Sequence, residues 1–219
     1  FPTRRSSDLN HFQETAALLK QSTGKLDGMA RGLEEQRQLP AFHDMAFEDR
    51  LGMLVDRERH WRDDRRLKRL LKAARLKHAD ACIEDVDYNA GRGLQKTVIA
   101  GLTSNDWIRQ GQSILLTGPT GAGKIYLACA LGEQACNQQI SVRYSRLSRL
   151  LDDLSAGRLD GTFQKQLTTL AKKELLILDD WGIEKLSGEQ SNHLLELLED
   201  RYQTSSTIMV SQLPVSDWY

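Results

Sequence analysis

Three glycines and a lysine between residues 118 and 124 have the types and spacing of a phosphate-binding loop. The apolar run Ile114–Leu116 has strand length, and Gly118–Lys124 follows it with the spacing G-x-x-x-x-G-K. Glycines let the backbone wrap around phosphates with its N–H groups turned inward. Lys124 can then reach the β- and γ-phosphates of a nucleotide. The alternative is a Gly-rich turn without a ligand, but the flanking strand and helix are the setting that a phosphate loop requires.

Residue 125 departs from this pattern. Ser or Thr normally follows the lysine and ligates Mg²⁺ through its hydroxyl, whereas Ile125 has no oxygen to offer. Tyr126 comes next, but its side chain leaves the helix about 100° away. We expect ATP to bind through the loop amides and Lys124. Because the protein then offers one ligand fewer to Mg²⁺, we expect hydrolysis to be impaired. The expected nucleotide-binding residues are Gly118, Pro119, Thr120, Gly121, Ala122, Gly123, Lys124, Ile125 and Tyr126.

A second candidate site follows the apolar run Leu175–Leu178, which ends in Asp179 and Asp180. Runs that are apolar throughout fit strands buried on both faces of a parallel sheet, and the carboxyl ends of such strands share the edge where a phosphate loop lies. Asp179 would hold Mg²⁺, directly or through water, and Asp180 would polarise the attacking water. Two aspartates after a strand are also typical of a turn or cap. Their position 55 residues after Lys124 favours the functional interpretation.

Strand and helix patterns alternate beyond the phosphate loop. Short strands are expected at Ser141–Tyr144 and Thr207–Val210, and helices at about 126–137, 146–155, 163–173 and 189–202. This alternation predicts an α/β sandwich. Gln212 follows the last of these strands, where a polar side chain could lie beside the γ-phosphate and the attacking water; an ordinary loop residue is the alternative.

The region before the loop is helical and locally basic. Residues 12–78 have a composition that favours helix, and the clearest helix is Phe47–Lys77. Eight basic and two acidic residues lie between Arg62 and Lys77. A solvated helix face is the alternative, but a run this one-sided favours contact with the DNA phosphate backbone. The expected DNA-binding residues are Arg62, Arg65, Arg66, Lys68, Arg69, Lys72, Arg75 and Lys77.

Length and composition limit the number of domains, the partners that charge can attract and the class of protein. The 219 residues allow one large domain or two small ones, and 30 basic residues balance 30 acidic ones, so only local patches can attract a polyanion. Three cysteines without a C-x-x-C pair are expected to be reduced thiols in a cytosolic protein. The histidines have no metal-ligand spacing, and no apolar run is long enough for a membrane span.

Composition also places a domain boundary near residue 80. We expect residues 10–80 to form a helical region for DNA binding and oligomerisation, and residues 81–219 to form the nucleotide-binding domain. Residues 79–113 join the two, with loop chemistry at 90–93 and a helix at Leu94–Trp107. Residues 1–9 resemble a translated sequencing adapter, begin with Phe1 instead of Met, and are expected to be an artefact.

Several separated motifs together resemble the IstB family of insertion-sequence transposition helpers, which is similar to the DnaC helicase loaders of the AAA+ class. The resemblance covers roughly residues 12–219. It rests on the phosphate loop, Tyr126–Leu131, Leu176–Gly182, Glu199–Tyr202 and Ser211–Pro214.

This resemblance implies an AAA+ P-loop fold preceded by a small all-helical domain. Lys124 matches the Walker A lysine, Asp179 and Asp180 match the Walker B acids, and Gln212 matches the sensor-1 position. The family's N-terminal helices grip double-stranded DNA and join neighbouring subunits. Its ATPase domain assembles as an ATP-dependent oligomer on DNA, bends the DNA and directs the partner transposase to its target.

The sequence departs from the family pattern in two ways. Ile125 occupies the Ser/Thr position, and the chain ends before the region that should carry the arginine finger and the small C-terminal helical part, so we expect a truncated domain. Three functions therefore stay open. The chain is a cytoplasmic transposition helper, a DnaC-like helicase loader, or a remnant that binds nucleotide and DNA without turnover.

Overall fold

The computed structural model of the protein describes residues 14–15, 17–21, 25–42, 44–88 and 93–218. Residues 1–9 and most of the expected loop at 90–93 lie outside this part of the chain. Two compact units divide between Arg66 and Leu67, within one long helix. The boundary near residue 80, which separates regions by composition, stays a prediction.

The first unit is helical. It contains helix α1 (Asp27–Gln38), a 3-10 turn at Pro40–Phe42 and the first part of helix α2 (Phe47–Ala74). The expected helix at Phe47–Lys77 is thus confirmed over most of its length. It ends earlier because Arg75 adopts the left-handed backbone region, at φ 52°.

A glycine lets α1 and α2 approach closely inside this first unit. A Cβ on Gly28 would lie 2.8 Å from the Cα of Glu58, so only glycine fits without displacing backbone. The buried Glu58 carboxylate accepts hydrogen bonds from the N–H groups of Gly28 (2.8 Å) and Met29 (3.1 Å). Arg62 pairs with the same carboxylate at 2.7 Å. A negative charge at a helix N-terminus is stabilised by the unpaired N–H groups there.

The second unit is built on a parallel sheet. Four strands of the described residues pair in the order β1-β4-β3-β2, all parallel. Strand β3 is buried along its whole length, as its uninterrupted apolar run predicts. The strands are β1 (Ile114–Thr117), β2 (Val142–Arg146), β3 (Leu175–Asp179) and β4 (Ser206–Ser211).

Helices cover both faces of this sheet. Successive side chains of β3 point to opposite faces. Leu175 and Ile177 belong to one buried cluster with Leu131 of α5, and Leu176 and Leu178 belong to another with helices α6 to α8. The α/β sandwich predicted from the alternating pattern is confirmed. The helices are α3 (Lys96–Leu102), α4 (Asp106–Arg109), α5 (Lys124–Asn137), α6 (Leu147–Asp160), α7 (Phe163–Ala171) and α8 (Gly188–Arg201), followed by a 3-10 turn at Val215–Asp217.

The expected helix at Leu94–Trp107 is confirmed in part, because the structure breaks it into two short helices. Helix α3 ends at Leu102, and α4 begins after Asn105. Asn105 is buried, and its backbone is left-handed, with a φ of 60°. The Trp107 indole donates to the carbonyl of Leu102 at 3.0 Å and so fixes the corner. Asparagine tolerates this backbone conformation better than most residues.

Two smaller expectations concern the cysteines and membrane spans. Cys82, Cys129 and Cys136 are free thiols, and the latter two are buried. Burial raises the pKa of Cys136 to about 12, so this thiol is protonated at neutral pH. In the part of the chain that the structure describes, no helix has the length and apolar character needed to cross a membrane.

Candidate nucleotide-binding site

The phosphate loop joins the end of β1 to the start of α5. Gly121 and Gly123 adopt φ values of 81° and 84°, the left-handed region that glycine enters without strain. A Cβ on Gly121 would meet no heavy atom within 4 Å, so its backbone conformation, not space, requires glycine there. No side chain caps the N-terminus of α5. Its first N–H groups are therefore available to an anion.

Lys124 lies across the mouth of this loop. Its ammonium donates to the carbonyl oxygens of Gly118 at 2.7 Å and Pro119 at 2.8 Å. Burial lowers the pKa of Lys124, and the nearby Asp179 carboxylate opposes this shift. The lysine is thus held among neutral carbonyls, which a phosphate can replace as a stronger, charged acceptor.

Asp179 is the last residue of β3 and is buried. Its Oδ2 accepts a hydrogen bond from the Tyr144 hydroxyl at 2.7 Å and lies 3.6 Å from the Lys77 ammonium. Its Oδ1 accepts the N–H of Asp180 at 2.9 Å. Burial, together with the hydrogen bond to Asp179, raises the pKa of Tyr144, so the tyrosine is a neutral donor. Both carboxylate oxygens therefore have partners within the protein.

Asp180 has an unusual backbone and a different partner. Its φ of 59° is left-handed, which is uncommon for a residue other than glycine and recurs at functional sites. Its carboxylate is half-buried and pairs with the Nε of Arg146 at 3.4 Å. Arg146 ends β2 and is the register partner of Asp179. The two acids of the motif thus bind different basic residues.

Gln212 contacts the phosphate loop directly. Its side-chain Oε1 accepts a hydrogen bond from the Thr120 hydroxyl at 2.7 Å, although 92 residues separate the two. Ser211 before it donates to the carbonyl of Trp181 at 2.7 Å and accepts from the Trp218 indole at 3.1 Å. These bonds fix the segment after β3 against the end of β4.

Ile125 and Tyr126 line the same cleft but offer no metal ligand. Ile125 packs against the apolar cluster that contains Ala81 and Cys129. The Tyr126 hydroxyl accepts the N–H of Cys82 at 3.3 Å. An apolar group thus lies where a hydroxyl ligand to Mg²⁺ is normally found.

The elements converge on one cleft of about 230 Å³ at the carboxyl edge of the sheet. The structure brings together Lys124, Asp179 and Gln212, as expected from their positions after strands. Asp180 lies outside its lining and faces a neighbouring cavity that Gln212 also lines. Sequence reasoning missed four residues at or near this edge, namely Lys77, His78, Tyr144 and Arg146. Extending β2 by two residues would have found Arg146.

The eight basic residues expected to bind DNA fall into different environments. Arg65 pairs with Asp27 at 3.2 Å, Arg62 with Glu58, and Lys77 with Asp179. Arg66 is exposed and has an intramolecular interaction of its own. The other four are exposed, and no ion pair involves them among the described residues; we call them the open basic face: Lys68, Arg69, Lys72 and Arg75.

Comparison with known proteins decides the family. Residues 18–219 match the model of the family described as IstB-like ATP binding protein. The chain belongs to this IstB-like family. It is 54% identical over 192 residues to the ATP-binding protein of insertion sequence IS1162 from Pseudomonas fluorescens, covering 88% of this chain and 83% of that protein. It is 44% identical over 200 residues to the insertion sequence ATP-binding protein y4pL of Sinorhizobium fredii, covering 91% of this chain and 81% of that protein.

Solved structures support the AAA+ fold of this IstB-like chain. The crystal structure of the DnaC helicase loader aligns with a TM-score of 0.50 and 26% identity, over 54% of this chain and 68% of that one. AMPPCP-bound DnaA from Aquifex aeolicus aligns with a TM-score of 0.56 at 20% identity, over 64% of this chain and 43% of that one. At this identity the alignment shows a similar fold and nothing more. The family resemblance and fold class drawn from the sequence motifs are confirmed.

The IstB-like site fits the phosphates of ATP better than it fits a metal ion held by the protein. The loop N–H groups and Lys124 match a triphosphate in charge and in donor chemistry. Asp179 is the one carboxylate that lines the cleft among the described residues, and its oxygens already have partners. No group of three or more His, Cys, Asp or Glu side chains in the described chain could hold a metal.

Proposed function

We propose that this IstB-like protein binds ATP at the phosphate loop and double-stranded DNA through the open basic face. In this proposal it acts in transposition: it assembles as a homo-oligomer on target DNA and directs a transposase there. The observation that supports ATP binding most directly is that Lys124, Asp179 and Gln212 line one cleft although they follow three different strands. Family membership supports the link to insertion sequences.

The nucleotide part of the proposal assigns a role to each residue at the cleft. The backbone N–H groups of the loop after Pro119, which has none, and the Lys124 ammonium hold the β- and γ-phosphates. Gln212 is placed to contact the γ-phosphate, since it already binds Thr120 of the loop. Mg²⁺ would arrive on the triphosphate and add positive charge there, with Asp179 as its protein contact.

Turnover is expected to be negligible in this chain. Asp180 would polarise the attacking water, but its carboxylate is paired with Arg146. Ile125 removes one metal ligand and places apolar bulk beside the phosphates. Phosphoryl transfer depends on positioned groups and charge neutralisation, so both features slow the reaction. The protein therefore acts as a nucleotide-bound scaffold in this proposal.

The DNA part rests on the open basic face. The face consists of three exposed cations on α2 and a fourth, Arg75, just after its end. These four side chains can contact successive phosphates without breaking ion pairs within the protein. Contacts of this kind release counterions and carry no sequence information, so binding should be salt-dependent and largely independent of sequence.

Helicase loading is the second candidate function, and the likeness to the DnaC helicase loader supports it. The two functions differ in the protein that is recruited. The discriminating experiment immobilises a long DNA duplex, adds the chain with or without ATP, and then adds either the transposase of the same insertion sequence or a replicative helicase.

Under the proposal, ATP increases the mass of protein bound to DNA, and the transposase is retained only when the chain is present. Lys124→Ala should remove the ATP effect while leaving salt-sensitive DNA binding intact. Retention of the helicase instead of the transposase would support the loader function. Identical binding with and without ATP, and retention of neither partner, would overturn both.

A further inference from the structure

Lys77 lies outside the lining of the nucleotide cleft but contacts Asp179, which lines it. Its ammonium is 3.6 Å from Asp179, and the two side chains are 35% and 2% exposed. The chain leaves α2 at Ala74, and the left-handed Arg75 redirects the residues that follow. His78, the next residue, lines the cleft together with Lys124.

The surroundings of Asp179 explain why a protein cation matters there. A buried carboxylate needs a compensating charge, and at this position that charge is usually a metal ion. Here residue 125 gives no oxygen to such an ion, and its side chain is packed in an apolar cluster. Lys77 and the Tyr144 hydroxyl compensate Asp179 instead.

Lysine chemistry suits a second task at the same place. An ammonium on a flexible four-carbon stem is a mobile point charge that binds phosphate oxygens. Lys77 forms an ion pair with Asp179, and the Asp179 carboxylate partly offsets the lowering of the Lys124 pKa by burial. Lys124 lines the cleft, and Lys77 lies beside it within reach of the same carboxylate.

We propose that Lys77 is a second phosphate-binding lysine of this site. It supplies beside Asp179 the positive charge that a Mg²⁺ ion, held by a hydroxyl at residue 125, would otherwise bring, so the site takes a nucleoside triphosphate with little requirement for Mg²⁺. This inference rests on the proposed nucleotide binding at the loop. The competing explanation is that Lys77 only neutralises Asp179 and never touches the ligand.

The test is titration of a fluorescent ATP analogue into the full chain, in EDTA and in Mg²⁺. Lys77→Gln should weaken binding in EDTA by about tenfold or more, as expected for loss of one charge-assisted contact. The loss should be smaller in Mg²⁺, because the ion then supplies positive charge beside the phosphates in place of Lys77. Lys77→Arg should recover part of the affinity in EDTA. Lys172→Gln, an exposed lysine after α7, is the matched control and should change neither titration.

A double variant removes the ambiguity between ligand contact and charge balance. Asp179→Asn alone leaves Lys77 without its counter-charge, and Lys77→Gln combined with Asp179→Asn removes both charges. If Lys77 contacts phosphate, the double variant binds about tenfold more weakly in EDTA than Asp179→Asn does. Equal affinity of the two would overturn the inference, and this comparison holds even if Lys77→Gln alone fails to fold.

The outcomes also separate this inference from the proposed function. Wild-type binding that Lys124→Ala abolishes but Lys77→Gln leaves unchanged would refute the role of Lys77 and keep the nucleotide site. An absence of wild-type binding would refute both.

Discussion

The two edges of the central sheet each bury a charged side chain, and they treat it differently. At the amino edge, Arg201 is 2% exposed. Its guanidinium donates to the carbonyls of Leu170 at 2.9 Å, Lys173 at 2.6 Å and Ser206. Burial lowers the pKa of Arg201 to about 10, so it is still a cation at neutral pH. At the carboxyl edge, Asp179 is equally buried, but its charged partner is the side chain of Lys77.

The difference lies in what the partners can do. Backbone carbonyls at the amino edge are fixed by the fold, so Arg201 joins the end of α7 to β4 permanently. At the carboxyl edge, the Lys77–Asp179 and Thr120–Gln212 contacts each join two side chains, and Lys124 reaches its loop carbonyls through a flexible stem. These side chains can exchange partners when phosphate binds. A buried charge surrounded by fixed groups stabilises the fold, whereas one surrounded by exchangeable groups is suited to binding.

The largest expected effect is the loss of stability when the buried arginine at the amino edge is replaced. Arg201→Met should lower the free energy of unfolding by at least about 3 kcal/mol, because each buried acceptor left without a donor costs about 1–3 kcal/mol. Urea unfolding followed by circular dichroism measures this change. Lys124→Met is the matched control at the other edge and should cost less than about 1 kcal/mol. Comparable stability losses in the two variants would contradict the distinction.

The second effect is on binding. Lys124→Ala should bring the affinity for a fluorescent ATP analogue below detection, because the lysine provides the charge that the loop amides lack. The thermal midpoint of the variant should stay close to that of the wild type, since the two carbonyls that Lys124 contacts lie in a loop, one exposed and one part-buried. Retained affinity in a folded Lys124→Ala protein would show that the phosphates bind elsewhere.

The third effect concerns the metal. Ile125→Thr should tighten binding of the Mg²⁺–nucleotide complex by restoring a hydroxyl ligand, with little gain in turnover. The lost packing against Ala81 and Cys129 should cost about 1 kcal/mol of stability. Parallel titrations in Mg²⁺ and EDTA separate the metal effect from general changes in affinity. An unchanged ratio of the two affinities would mean that residue 125 does not set the response to Mg²⁺.

The smallest effect distinguishes open from paired cations on α2. Arg69→Gln should flatten the plot of log K for DNA against log salt by about 0.9, the value for one phosphate contact. Arg65→Gln should change the slope much less, because Arg65 pairs with Asp27. Fluorescence anisotropy with a labelled duplex at several salt concentrations gives both slopes. Equal slopes for these variants and the wild type would show that the open basic face is only solvated.

Most of the sheet and its edge could be predicted from local patterns. The apolar runs at β3 and β4 predicted buried parallel strands, and the ends of β1, β3 and β4 placed Lys124, Asp179 and Gln212 together. These predictions succeed because the hydrophobic pattern and the topology of parallel strands dictate them. The equally apolar run at β1 is only partly buried, because β1 lies at the edge of the sheet.

The partners of the acidic residues could not be predicted in this way. Continuing the helical period predicts Lys77 on the basic helix face, but one left-handed residue, Arg75, ends the helix first. Tyr144 reaches Asp179 only through the register of β2 against β3, which a single strand pattern does not specify. Such contacts depend on long-range pairing, while the loop motif depends on adjacent residues.

The central claim is that the carboxyl edge binds nucleotide and that lysines of the protein supply the positive charge there. One titration series tests this claim most directly. A fluorescent ATP analogue is added to the wild-type chain in Mg²⁺ and in EDTA, with Lys124→Ala alongside. We predict similar affinities in the two conditions for the wild type and no detectable binding for the variant. A strong requirement for Mg²⁺, or binding that survives in Lys124→Ala, would contradict this account of the site.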